Sequence, residues 1–163
     1  MSEEMQIIKA PGIDLPPLVV REKIQAIETA MRACPDVLIG DCCPLKHSFA
    51  KGLYVREITV PAGMLTVTKI HKFSHPAFLL EGEMSIMEEW GPRRVSAPAY
   101  FITRAGTKRV IYHHTKVVLV TVHATEEQDT EKIEEEIIAK SFDEMDDVVE
   151  IENFVQEVTK CLG

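Results

Sequence analysis

Two histidines four residues apart, His71 and His75, stand in the stretch PAGMLTVTKIHKFSHPAFLLEGE, Pro61 to Glu83. Neutral imidazole nitrogens bind zinc, nickel or iron, and two or three that converge on one point suffice for an open metal site. His47, His113 and His123 are the candidates for a third ligand. The same stretch carries Lys69, and Arg109 stands four positions before His113. Cations at a site repel a divalent ion, but they hold a carboxylate or phosphate through charge-assisted hydrogen bonds. Two chemistries are therefore open: an anion pocket of Lys69, His71, His75, Arg109 and His113, or one divalent transition metal (zinc, iron or nickel) on His71 and His75. Arg56 and Glu57 are neighbours in an extended run and face opposite sides. Whichever points inward brings a charge that needs a partner, Glu57 neutralising the pocket or Arg56 adding to its positive character.

These residues need rigid elements to hold them. Lys69 and His71 share one face of an extended strand with Leu65 and Val67, and Arg109, Ile111 and His113 share a face of another. From Leu53 to Ala124 short β-rich runs alternate with turns at Pro61-Ala62-Gly63, Gly91-Pro92, Pro98 and Ala105-Gly106. That spacing leaves no room for helical crossovers, so the sheet is antiparallel. Trp90 reads as an anchor at a hairpin end, Met84 and Met87 as core. Before the β region, Val20, Ile24, Ile27 and Met31 recur at helical spacing and predict a helix over Val20 to Arg32, ended by Pro35. After it, Ile133 and Ile137, then Val148, Ile151, Val155 and Val158, predict helices over Asp129 to Lys140 and Val148 to Cys161. The organisation expected is an arm and helix over 1–52, a barrel over 53–124, and an acidic helical extension over 125–163.

The spacing of the first stretch is similar to that of a known family. Cupins are small antiparallel barrels with a first motif G-x5-H-x-H-x3,4-E-x6-G. Here Gly63, Lys69, His71, His75 and Gly82 fall at its positions, with Lys69 in place of the first histidine and His75 in place of the glutamate. A second motif, G-x5-P-x-G-x2-H-x3-N, aligns on Gly106. It puts Arg104 at the proline, Arg109 at the metal-ligating histidine and His113 at the asparagine. The wording HSFAKGLYVREITVPAGML…KIHKFSHP also resembles small single-domain cupin-like proteins of phage and prophage genomes. The resemblance covers roughly Leu53 to Ala124 and implies a mostly β fold, a single antiparallel cupin-type β-barrel (jelly roll) with a degenerate metal motif; the one N-terminal and two C-terminal α-helices read from periodicity lie outside it.

Composition narrows the partners. The 163 residues hold 26 acidic and 18 basic side chains, a net charge of −8, which argues against nucleic acid. No apolar run approaches the roughly 20 residues of a membrane helix, and no basic-then-apolar leader opens the chain, so a cytoplasmic protein is expected. Cys34, Cys42, Cys43 and Cys161 lack the spacing of a disulfide framework. A nucleophile would have to come from Cys42 or Cys43 with His47; buried, inert thiols are the commoner role. No Ser/His/Asp order, phosphate loop or dinucleotide fingerprint occurs. The reading that follows is a small-ligand-binding cupin with a His/Lys/Arg-lined pocket for an anionic molecule. Its alternatives are a metal-dependent cupin enzyme of oxygenase, isomerase or lyase type, and an oligomeric structural or assembly protein with a vestigial pocket. Exposed sheet edges and amphipathic end helices predict a homodimer or larger homo-oligomer.

Overall fold

The computed structural model describes residues 8–9, 17–89 and 91–145. The predicted helix over Val148 to Cys161 and the proposed anchor Trp90 lie outside them. Helix α1 (Pro17–Arg32) begins three residues before the predicted start, with proline in its first turn, where the missing N–H costs no hydrogen bond. Its Val20 and Ile24 are buried against Val110, with Ile27, Val67 and Met87 packed alongside. Arg21 Nε, 2.7 Å from Glu89 Oε1, and the Lys108–Glu28 pair tether the helix at its edges.

The strands follow in chain order: β1 (Ile8–Lys9), β2 (Leu45–Ala50), β3 (Leu53–Val60), β4 (Leu65–Val67), β5 (Ile70–His71), β6 (His75–Glu81), β7 (Glu83–Glu88), β8 (Gly91–Ser96), β9 (Ala99–Thr103), β10 (Val110–His113) and β11 (Val117–Ala124). Helix α2 (Thr130–Ile137), strand β12 (Ile138–Ala139) and a 3-10 turn (Phe142–Glu144) complete the described chain. Every ladder is antiparallel. Sheet A runs β1-β8-β7-β10-β4, sheet B runs β2-β3-β11-β6-β9, and β5 pairs with β12 in a separate ribbon.

The strands form two antiparallel sheets in the manner of the expected jelly roll, with no closed barrel among the described residues. Two other expectations change. Sheet B takes in β2, eight residues upstream of the predicted first strand. Nearly all of β2 is exposed, so it carries no apolar alternation for a pattern search to find. Helix α2 is shorter than predicted: Asp129 caps its start by accepting from Glu131 N–H at 3.0 Å, and at Ile138 the backbone turns extended (φ −107°, ψ 129°) to pair with β5.

Alternation decides what the sheets bury. Leu79 of β6, Met84 and Ile86 of β7, Val95, Ala99, Ile111 and Val117 meet between the sheets as the main core. Each large apolar side chain buried there contributes about 1.5–3 kcal/mol. The tight joint from β6 into β7 is Gly82, at φ +92°. A Cβ there would stand 2.1 Å from the Lys116 carbonyl oxygen, so both backbone angle and close approach require glycine.

Candidate functional site

Three histidines meet on the inner side of sheet B, at the end away from the main core. His75 opens β6 and alternates inward with Ala77 and Leu79; His123 ends β11 and alternates inward with Thr121 and Leu119. His71 comes from β5, whose position is fixed by pairing His71 with Ile138 and by the Gly106 N–H donating to the His71 carbonyl at 2.9 Å. Ring centroids are 4.4 Å apart for His71–His75, 4.3 Å for His75–His123 and 5.4 Å for His71–His123, the last pair stacked at 10°. One ring nitrogen of each lies within 4.8 Å of the others.

The chemistry of this donor set suits a metal. Burial holds His71 far below the ordinary imidazole range, at about 2, helped by the neighbouring His75, His123, Arg109 and Arg56. Burial likewise lowers His123 to about 4, with His75 and Arg56 adding to it. His75 is lowered by burial against the opposing pull of its backbone hydrogen bond. All three are therefore neutral at neutral pH, with lone pairs free to ligate. His75 Nδ1 stands 3.2 Å from the Phe73 carbonyl oxygen, an acceptor only, so Nδ1 carries the proton and Nε2 is left to bind an ion. A shared ion at about 2.0–2.1 Å from each nitrogen needs the nitrogens about 3–3.4 Å apart, against the 4.8 Å within which they lie here.

The sequence-predicted residues are distributed unevenly around this trio. Arg109 is buried at 8% exposure and spoken for: Nε donates to Glu88 Oε2 at 2.5 Å and Nη1 to Thr103 Oγ1 at 2.8 Å. Glu88 also faces Arg93, whose Nε is 3.1 Å from Oε1 with its N–H pointing off the line, so this is a charge pair and not an aligned hydrogen bond. Both guanidiniums lie over the Phe101 ring, at 4.5 Å for Arg93 and 5.3 Å for Arg109. Arg56 points inward, opposite Thr121, with a long 3.4 Å bond to Asp41; Glu57 faces the other side, opposite Lys46 and Val120. Lys69 reaches outward to Glu134 at 2.5 Å, both side chains about half exposed. His113 is buried four strand positions from Arg109, with Nδ1 donating to the Met64 carbonyl at 3.0 Å.

Of the third-ligand candidates, His123 joins His71 and His75, while His47 bonds the Tyr54 hydroxyl through Nδ1 at 2.7 Å. Tyr54 stacks on His123 with centroids 6.0 Å apart and backs the trio. Cys42 and Cys43 keep their sulfurs 3.9 Å apart; burial raises Cys43 above its ordinary range, which leaves it a thiol and a poor nucleophile. Glu88 and Tyr54 were not anticipated, although Glu88 continues the inward series Met84, Ile86 on β7 and alternation alone would have flagged it. Among the described residues, no helix is long and apolar enough to cross a membrane.

No family model and no curated protein matches the sequence. Solved structures do match the fold. Ectoine synthase from P. lautus superposes with a TM-score of 0.50 at 14% identity, over 67% of this chain and 85% of that one. The cupin domain of Schizosaccharomyces pombe Cnp3 gives 0.46 at 20% identity, over 63% and 76%. The cupin domain of an XRE-family transcriptional regulator from Enterobacter cloacae gives 0.43 at 11%, over 48% and 92%. At these identities the likeness is one of fold: the chain is similar to cupin-domain proteins, mostly β with antiparallel sheets in a jelly-roll arrangement.

Proposed function

We propose that this chain is a cupin-type small-ligand-binding protein whose ligand is anchored by a divalent transition metal held on His71, His75 and His123. The observation that carries the reading is the convergence of three neutral imidazoles, each offering a nitrogen within 4.8 Å of the others. Three protein nitrogens leave coordination positions open, and the ion supplies a Lewis-acidic point to which an oxygen of a small molecule binds.

The surrounding charge favours an anionic ligand. Arg109 and Arg93 share the single carboxylate of Glu88, and Arg56 faces the same side of sheet B as His123. Two carboxylates, Glu88 and, at 3.4 Å from Arg56, Asp41, against three guanidiniums leave a net positive charge, the condition under which a carboxylate gains from charge-assisted hydrogen bonds. Lys69, paired outside with Glu134, plays no part in this version of the pocket. Titration with cobalt(II) tests the reading. The expected result is visible absorption that saturates at one ion per chain and shifts when a small carboxylate such as citrate is added. No cobalt uptake refutes the metal centre; uptake without any carboxylate response refutes the anionic ligand alone.

A further inference from the structure

The histidine site leaves two adjacent thiols unused. Cys42 and Cys43 stand in the loop between α1 and β2 with their sulfurs 3.9 Å apart, Cys42 exposed and Cys43 buried. The loop that carries them is fixed on both sides. Cys42 N–H donates to the Gly40 carbonyl at 3.0 Å, where Gly40 turns the chain at φ +83°, and Thr59 N–H of β3 donates to the Pro44 carbonyl at 3.0 Å. Asp41 Oδ1 lies 3.4 Å from Arg56 Nη2. The two sulfurs are thus held facing each other before anything binds, which removes part of the ordering cost of a two-point contact.

Adjacency makes a direct bond between them strained. Across one trans peptide their Cα atoms are about 3.8 Å apart, closer than the about 4.4–6.8 Å of an ordinary disulfide, and the sulfurs would have to close to about 2.0 Å. A bridging atom fits better. Two bonds of about 2.3 Å, the length of a metal–thiolate bond, set sulfurs about 3.3 Å apart at a right-angled centre and about 4.6 Å apart at a linear one, and 3.9 Å falls between.

The surroundings select the kind of centre. Among the described residues, no His, Asp, Glu or third Cys joins these sulfurs to make a group of three donors within 4.8 Å, so a tetrahedral zinc would be left half-ligated. Burial, and then the neighbouring Cys42, raise Cys43 above its ordinary thiol range, so a complex that leaves charge on the sulfurs is disfavoured. Copper(I), with one positive charge against two thiolates, leaves such a charge; a trivalent arsenical does not.

We propose that Cys42 and Cys43 form a chelating site for a trivalent arsenical, an organoarsenic centre satisfied by two sulfurs. Starting from R–As=O, two As–S bonds form, the As=O bond breaks, and both thiol protons leave with that oxygen as water. Arsenic stays trivalent and the product is neutral. Cys42 meets the reagent first because it is exposed, and Cys43 then closes the ring within the same chain, where its effective concentration is high. The site is independent of the histidines and of any ion they hold.

Phenylarsine oxide and intact-mass spectrometry of the reduced full chain test this. The expected result is a gain of one phenylarsine oxide less one water per chain, stable in excess glutathione and reversed by a small dithiol. The adduct should persist in Cys34→Ser/Cys161→Ser and be lost in both Cys42→Ser and Cys43→Ser. Cys42→Ser changes an exposed position, so the test stands even where Cys43→Ser fails to fold. No adduct in the presence of glutathione, or an adduct that a folded Cys42→Ser or Cys43→Ser chain retains, overturns the inference. Loss of the adduct in Cys34→Ser/Cys161→Ser places the reactive pair elsewhere and equally overturns it.

Discussion

At the scale of single residues, the interior is governed by the cost of burying charge. Arg109 looks in sequence like a free anion receptor, yet its Nε and Nη1 are already committed to Glu88 and Thr103. Its removal leaves the buried carboxylate with only the unaligned charge of Arg93 beside it, so Arg109→Met is expected to lower stability by up to about 3–5 kcal/mol in urea unfolding. A binding defect in Arg109→Ala alone would therefore say little about a ligand. His113 gives a pH signature. Burial pulls it below the ordinary imidazole value, outweighing the hydrogen bond to Met64. The unfolded chain then takes up the proton first, so this stability is complete above the unfolded value of about 6.5 and is lost as pH falls below it, by up to about 1.4 kcal/mol per pH unit. His113→Gln should flatten the fall in urea midpoint between neutral pH and about pH 5.5; an unchanged slope would mean that His113 is protonated in the folded state.

At the scale of elements, legibility in sequence followed how much of a strand or helix is buried by pattern. Strand β3 occupies the predicted run LYVREITV, and the β-branched run KVVLVTVHA contains β11, because alternation imposed by a one-sided core is visible residue by residue. Strand β2 was invisible because it is an exposed edge held by backbone bonds to β3. The same limit applied to the site. His71 and His75 stand out by spacing, but His123 reaches them only through the pairing of β11 with β6, a contact remote in sequence that no local pattern encodes. Gly82 stands at the last glycine of the first motif's spacing, and its packing gives it a cost: Gly82→Ala combines positive φ with a clash on the Lys116 carbonyl and should destabilise by more than the about 1–3 kcal/mol of backbone strain alone. Thermal unfolding reads this directly, and a loss of only a few tenths of a kcal/mol would show that the β6–β7 turn relaxes freely.

At the scale of the whole molecule, the sandwich does two separable jobs. Its main core, from Leu79 to Val117, lies away from the histidines and sets stability, while the other end of sheet B gathers three imidazoles from β5, β6 and β11 in a setting that keeps them neutral. Ligand loss at the site should therefore be separable from unfolding. Elemental analysis of protein purified without an affinity tag, wild type beside His123→Ala, tests this most directly. The account predicts close to one zinc, iron, nickel or similar ion per wild-type chain and a loss of at least tenfold in a His123→Ala protein that remains folded, since two remaining imidazoles hold an ion poorly. Wild-type protein that carries no transition metal and takes none up on incubation, or a His123→Ala variant with wild-type metal content, would contradict it.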